Sequence, residues 1–453
     1  MERLDIQVPV VEKVDVLVCG GGPAGFAAAI AAARLGKKVM LIERYGCLGG
    51  VATSCLVGIW LGSYSRDGVY PVIGGIFTEI VEKMAAQGGA VRACDDPPSG
   101  TRHLGYASWH GRTVPFEYEC CKRVMEQMVL QAGIKLRYFT SLLEPKVEND
   151  RIDGVFVHSA NGIEYIQAQV LIDTTGDATL ASRAGCPTVK GREEDGLMSA
   201  PTLIFTVEDV DSAAFEDYCR STGDVRFRAA IAEFEKHSKW PFAFKAINCC
   251  EMIRRGSFFI NTGQIVGIDG TNADDITAAM VKGREQSLEL MEMLKRIVPG
   301  FAHARLTQTA PMLGVRDTRR IAGQYRVTVD DVIKGVRFDD TIALSGYQWD
   351  MADPKYPTKQ RMEDTVISRP YAEIPYRSLV PQKIKNLIVA GRCVSCEWDV
   401  LGLFRIMPAC FAMGQAAGTA ANIAVRHRVD FSDVKPAMLR QQLLEDKAIL
   451  RDF

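Results

Sequence analysis

Val14–Cys19 is an apolar run interrupted only by Asp15, the pattern of a short strand buried on both faces of a parallel sheet. After Gly20-Gly21-Gly22-Pro23-Ala24-Gly25 comes an alanine-rich run, Phe26–Leu35, long enough for a helix and ended by Gly36. Lys38–Ile42 is a second strand, closed by Glu43. The same signature of an apolar strand followed by glycine returns at Val170–Asp173, before Thr174-Thr175-Gly176-Asp177, and at Asn386–Val389, before Ala390-Gly391-Arg392. A long helix is predicted over Met407–Val425. Between these pieces the character changes. Pro201–Val207 alternates like a strand, and Asp211–Arg220 and Asp274–Val298 read as helices. Residues 62–111 are rich in glycine and proline, including Asp96-Pro97-Pro98-Ser99-Gly100, and are expected to be an irregular insertion or lid.

Strand, glycine turn, helix, strand and acid within about 30 residues is the context a dinucleotide fingerprint requires. Gly20 would make the tight turn, Gly22 would let the backbone approach a pyrophosphate, and Gly25 would let helix and strand pack closely. Pro23 and Ala24 open the helix, whose N-terminal N–H groups and dipole favour phosphate. Glu43 is placed to accept hydrogen bonds from ribose hydroxyls and disfavours a 2′-phosphate. Arg44 follows it, then a second glycine-bearing stretch, Gly49-Gly50-Val51-Ala52-Thr53. This stretch resembles the loop beside the isoalloxazine in flavoproteins of the glutathione reductase superfamily. FAD is therefore the expected cofactor, with Gly176, Asp177, Gly391, Arg392 and Met407 contributed by the later signatures.

The charge is nearly balanced, 54 Lys+Arg against 55 Asp+Glu, so nothing electrostatic points to nucleic acid. No stretch is apolar enough over about 20 residues to span a membrane. Met1–Lys13 carries Glu2, Asp5 and Glu12 without an apolar core, so a cytoplasmic protein with reduced thiols is expected. The thirteen cysteines fit no iron–sulfur or zinc spacing, and no metal is expected. Cys393-x-x-Cys396 keeps a redox question open, because it follows the third glycine signature and should lie near a flavin.

The segment Gly314-Val315-Arg316-Asp317-Thr318-Arg319-Arg320-Ile321-Ala322-Gly323 resembles one carried by a family of FAD-dependent oxidoreductases. Further matching stretches are Ile374-Pro375-Tyr376-Arg377-Ser378-Leu379 and Arg405-Ile406-Met407-Pro408. The resemblance implies an α/β protein with a discontinuous glutathione-reductase-type FAD-binding Rossmann domain and an inserted α+β substrate domain. The boundaries expected are 1–61, 112–190 and 371–453 for the FAD domain, 62–111 for the insertion, and 191–370 for the substrate domain. No second fingerprint for NAD(P)H is present.

The expected activity is hydride transfer between flavin and a small organic molecule, by C–OH or CH–CH dehydrogenation or by reduction of an activated double bond. A flavoprotein lyase, hydratase or isomerase without net redox turnover, or an electron-transfer subunit, is the alternative. A homo-oligomer and a redox partner protein are left open. Arg316, Arg319 and Arg320 read either as an anion clamp or as an ion-pair network with Asp317, Asp330 and Asp331. Many relatives carry histidines where Trp398 and Ala352 stand here, which leaves Asp399, Arg405, Tyr347 and Asp350 as polar groups; Asp399, Arg405 and Tyr347, with Arg316 from the arginine segment, are the candidates for catalysis. Asp399 or Tyr347 would handle a proton, and Trp398 and Trp349 would wall an apolar or aromatic substrate.

Overall fold

A computed structural model of the chain describes residues 5–95, 112–242, 244–357, 360–362 and 364–451. Its centre is a seven-stranded sheet assembled from distant parts of the sequence. Lys135–Arg137, Val39–Ile42, Val10–Cys19 and Gly162–Asp173 lie side by side and parallel. Gly162–Asp173 divides its pairing. Its first half is antiparallel to Arg151–Ser159, which in turn pairs with Ser141–Glu148, while Leu171–Asp173 run parallel to Leu387–Val389. Val16–Cys19, Val39–Ile42 and Leu387–Val389 are buried along their whole length, as strands covered on both faces must be.

Helices Pro23–Arg34 and Met407–His427 cover one face of this sheet. A Cβ on Gly414 would meet the Ala24 carbonyl oxygen at 2.1 Å, and one on Gly418 would meet that of Ala28 at 2.2 Å. These contacts advance in the same direction along both helices, so the two run parallel, with backbone against backbone at a seam of small residues. Six residues separate the first contact of the longer helix from its start, so its N-terminus projects about 9 Å further along than its neighbour's.

Residues 205–309 build a second layer, an antiparallel sheet ordered Cys249–Glu251, Phe258–Ile260, Phe205–Glu208 and Arg305–Thr309. Helices Ser212–Thr222 and Ala273–Ile297 pack on it around Phe205, Phe215, Phe258 and Phe301. The side chains of Asp211 and Asn272 cap these helices by accepting backbone N–H groups. Pro201–Ile204 do not join the expected strand. Proline donates nothing to a ladder, and Thr202 makes an isolated bridge with Gly314 instead. The stretch expected to be irregular, 62–111, contains a ten-residue helix, Ile76–Ala85, whose buried Ile76, Phe77, Ile80, Val81 and Met84 recur at helical spacing. Its Asp96–Gly100 part lies outside the described residues.

No single helix among the described residues is long and apolar enough to cross a membrane. Only the bent pair Trp398–Phe404 and Met407–His427, broken by 87°, passes on composition, and the longer helix is buried in the core.

Candidate functional site

The parallel strands Val10–Cys19, Val39–Ile42, Gly162–Asp173 and Leu387–Val389 all end at the same edge of the sheet, where an open α/β sheet holds its ligands. Gly20 leaves the first strand at φ +109°, a conformation open to glycine, and its N–H donates to the Ile42 carbonyl at 2.9 Å. A Cβ on Gly25 would stand 1.7 Å from the Gly20 carbonyl oxygen, so close packing alone demands glycine there. Gly22 is different. Its φ of −69° and ψ of −174° suit any residue, and the nearest atom to an added Cβ would be Gly50 Cα at 4.0 Å. Among the described residues, nothing packs against Gly22 closely enough to require it to be bare. Gly22 is also the N-cap of helix Pro23–Arg34, with no side chain on the free N–H groups.

Glu43 is buried at the end of its strand. Its carboxylate accepts the Gly21 N–H at 2.6 Å and the Tyr45 N–H at 2.9 Å, and burial raises its pKa. Arg44 is exposed and lies over the Tyr45 ring, 5.0 Å from its centroid. The Gly49-Gly50 turn seats on the first glycine turn: Gly49 N–H donates to the Gly21 carbonyl at 2.9 Å, and a Cβ on Gly50 would stand 3.0 Å from Gly22 Cα. Thr53 Oγ1 closes this turn by donating to the Leu48 carbonyl at 2.6 Å. A bare cradle, free helix N–H groups and a carboxylate at the next strand end together fit an FAD.

The later signatures meet at a single ion pair. Arg392 binds the Asp177 carboxylate, donates Nε to the Gly176 carbonyl at 2.8 Å, and donates Nη1 to the Val315 carbonyl at 2.7 Å. Thr318 Oγ1 also donates to Asp177 at 2.9 Å. Burial pushes the Asp177 carboxyl up, but Arg392 and Thr318 outweigh it and hold the group below its ordinary range. Gly391, at φ +102°, lies against Ala24, and Met407 begins the long helix, whose cap residue Ile406 offers no side-chain hydrogen bond.

Two of the four catalytic candidates, Asp399 and Arg405, belong to the short helix Trp398–Phe404 and its C-cap just before the start of the long helix, and Tyr347 is on the loop this short helix packs against. Arg405 Nη2 donates to the Asp350 carbonyl at 3.0 Å and to its carboxylate at 2.8 Å. Gly402 packs so closely that a Cβ would stand 2.9 Å from Asp350 N, which joins the helix of Asp399 and Arg405 to the loop of Tyr347. Asp399 pairs with Arg361, Oδ1 to Nε at 3.2 Å, and burial raises its pKa against that pairing. Arg316 stands apart, donating to the Ala200 carbonyl, to Thr202 Oγ1 at 2.9 Å and to Asn261 Oδ1 at 3.4 Å.

Several expectations need correction. Arg316, Arg319 and Arg320 form no clamp. Arg320 is 1% exposed, donates to the Cys396 and Gly191 carbonyls and pairs with Glu193 at 2.9 Å, while Arg319 reaches the Asp177 carbonyl. The direct ion pair of Arg320 is thus with Glu193 and not with Asp330 or Asp331, while its charge is also felt by the buried Asp317 carboxyl. Trp398 is wholly buried with its indole N–H on Asp317 Oδ2 at 2.9 Å, so it is a packing element and cannot wall a substrate. Trp349 is also buried, its indole N–H on the Thr365 carbonyl at 3.0 Å. Cys393 and Cys396 are buried free thiols packed in two different core clusters, and burial pushes Cys396 up to about 12. That is the opposite of a reactive thiolate.

Arg66 and Arg361 escaped the sequence reading, since each sits in a loop without periodicity. A cavity of about 840 Å³, lined by residues that include Arg34, Glu79, Gln415 and Asp446, lies at the C-terminal end of helix Pro23–Arg34. That end carries the negative pole of the helix dipole, and none of the glycine-turn residues lines the cavity. Among the described residues no group of three or more His, Cys, Asp or Glu could hold a metal ion.

A model of the family described as FAD dependent oxidoreductase matches residues 15–443. The chain is 28% identical over 206 residues to a digeranylgeranylglycerophospholipid reductase of Methanoculleus marisnigri, covering 45% of this chain and 48% of that one. It is 27% identical over 182 residues to a thiamine thiazole synthase of Aeropyrum pernix, covering 38% of this chain and 57% of that one. The matches thus span about half the length of these curated relatives. Among solved structures, a geranylgeranyl bacteriochlorophyll reductase-like protein of Thermoplasma acidophilum aligns with a TM-score of 0.45 at 13% identity, covering 97% of this chain and 84% of its own. The myxobacterial halogenase CndH aligns at 0.47 and 12%, covering 95% and 78%.

Proposed function

Because the chain belongs to the FAD dependent oxidoreductase family, we propose that it transfers a hydride between flavin and a small organic substrate held beside the Tyr347–Asp350 loop. The observation that carries this reading is Gly22, bare at a place where only a ligand needs it bare. FAD, when bound, supplies the two-electron centre. The chain does the rest. The Gly20–Gly25 turn and the start of helix Pro23–Arg34 would receive the pyrophosphate, and the Glu43 carboxylate would accept the ribose hydroxyls. Asp177 and Arg392 brace the turn between them and tie it to the Val315–Thr318 segment. The start of helix Met407–His427 favours negative charge on whatever lies before it.

Arg405 fixes the Tyr347–Asp350 loop through Asp350, and Tyr347 and Asp399 are the groups assigned to hold or move a proton. The three glycine-bearing strand ends on one sheet support a glutathione-reductase-type arrangement of the cofactor domain, with 191–370 as the substrate domain. The name reductase carried by the M. marisnigri relative supports reduction as the direction. Removal of Trp398 from the substrate wall withdraws the support for an aromatic substrate.

The test is spectroscopic. FAD-loaded protein is kept anaerobic and offered a panel of alcohols, hydroxy acids and saturated acids, and the dithionite-reduced protein is offered activated alkenes. Bleaching of the visible flavin band by a member of the first set, or its return with one of the second, is expected. Product formation with the band unchanged would refute hydride transfer.

A further inference from the structure

Among the described residues, four guanidinium groups have a nitrogen that is buried and without a hydrogen-bond partner: Arg66 Nη2, Arg320 Nη1, Arg405 Nε and Arg451 Nε. Three of these side chains are nevertheless neutralised, Arg320 by Glu193, Arg405 by Asp350 and Arg451 by Glu373. Arg66 has no carboxylate among the described residues. It donates Nε to the Tyr347 carbonyl at 2.9 Å and Nη1 to the Arg369 carbonyl at 2.7 Å, both neutral acceptors. Its neighbour in sequence, Asp67, is exposed and turns away, accepting from Ser65 Oγ and from the Val69 N–H at 3.1 Å.

An arginine does not shed its proton, so a half-buried guanidinium without a counter-charge is costly unless something anionic arrives. Burial alone acts on it, pushing its pKa down to about 10, and no acid offsets that. The side chain also stands at the loop already placed beside the start of helix Met407–His427: Arg66 holds Tyr347 from one side and Arg405 holds Asp350 from the other.

We propose that Arg66 receives a carboxylate of the substrate, so that the enzyme acts on a small carboxylic acid with its reacting carbon beside Tyr347. One guanidinium matches one negative charge, and its unpartnered Nη2 can donate a charge-assisted hydrogen bond to a carboxylate oxygen. This rests on the flavoenzyme reading above and adds the substrate class. The cationic site thus lies at Arg66, about 250 residues before the arginine-rich segment for which the sequence left a clamp as one of two readings.

The test uses FAD-loaded protein and three matched pairs of probes, acetate and acetamide, succinate and succinamide, benzoate and benzamide, with inorganic phosphate as a seventh. Binding is read from the flavin difference spectrum and the thermal midpoint. At least one carboxylate is expected to bind ten times or more tightly than its amide, and Arg66→Gln to remove that preference while Arg66→Lys keeps part of it. Equal binding of acid and amide, tighter binding of phosphate, or no binding of any probe would each overturn the assignment on the wild-type protein alone, whether or not Arg66→Gln folds. A lower thermal midpoint in Arg66→Gln with unchanged carboxylate affinity would make Arg66 a strut for the Tyr347 and Arg369 carbonyls, and would overturn it as well. Bound FAD is quantified in every sample. A protein that cannot be loaded with FAD fails the flavoenzyme reading, whereas a yellow protein indifferent to carboxylates fails only the assignment of Arg66.

Discussion

Gly22→Ala and Gly25→Ala, made in parallel, separate the two reasons for a glycine in a nucleotide turn. At Gly25 a methyl would sit 1.7 Å from the Gly20 carbonyl oxygen and 2.6 Å from Thr174 Oγ1, so the helix must retreat by about 1.3 Å from its strand. Overpacking of this kind costs about 1–3 kcal/mol or more, and Gly25→Ala should lower the thermal midpoint with or without cofactor. At Gly22 the methyl meets only Gly50 Cα at 4.0 Å on a backbone that already suits alanine. The loss of a good cap residue and the gain from a stiffer unfolded chain are each below about 1 kcal/mol and opposite in sign. The fold of Gly22→Ala should therefore be as stable as the wild type in the absence of FAD. Its methyl would, however, occupy the surface offered to the pyrophosphate, and the same 1–3 kcal/mol then appears as a roughly 5- to 150-fold weaker FAD affinity. Apoprotein titrated with FAD, followed by quenching of flavin fluorescence, measures this directly. Wild-type FAD affinity in Gly22→Ala would refute the placement of the pyrophosphate on this turn.

Asp177→Asn should destabilise the protein by about 3 kcal/mol, because it strands Arg392 without its counter-charge; a change under 1 kcal/mol in urea unfolding would show the pair to be dispensable. The same pair carries a pH signature. Asp177 is held below its ordinary range in the folded protein, so its contribution is complete above the unfolded value near about 3.9 and is lost as pH falls through the lower folded value. Asp177→Asn should flatten that part of the acid-unfolding profile. Trp398→Phe should cost about 1–3 kcal/mol by leaving the buried Asp317 carboxylate short of a donor, with no change in substrate affinity. In the native protein a thiol reagent should titrate Cys94 rapidly and Cys47 more slowly, since Cys94 is exposed and Cys47 half-buried, while Cys393 and Cys396 stay silent. Fast modification of Cys396 would contradict its burial.

The features legible in the sequence are those in which one residue type answers a local geometric demand. The first strand, helix and second strand could be read because apolar runs of the right length flank a turn that only Gly20 and Gly25 can make. Glu43 was legible from its spacing, and the third strand and long helix from the glycine between them. The strand Phe205–Glu208 was read four residues early, because alternation continued through Pro201, whose missing N–H the pattern could not weigh. The helix Ile76–Ala85 was hidden by the glycines and prolines around it, although its apolar spacing was present.

The arginines show where such reading ends. Arginine side chains are long, and their partners are settled by loops that meet only in the folded chain. Arg320 pairs with Glu193 because the strand Arg319–Ile321 lies antiparallel to Thr188–Lys190, and the turn after Lys190 delivers Glu193 across the gap. Arg66 reaches carbonyls 281 and 303 residues away. Three arginines within five residues attract attention in a sequence, yet the fold sends Arg316, Arg319 and Arg320 to separate acceptors. A solitary Arg66 in a polar turn carries no such signal, and it comes forward only because, of the described guanidinium groups with a buried unpartnered nitrogen, it is the one without a carboxylate. Where a glycine is needed is a question about backbone, answered within a few residues. Where a charge is left uncompensated is a question about the whole molecule, and here its answer stands beside the start of the helix that favours an anion.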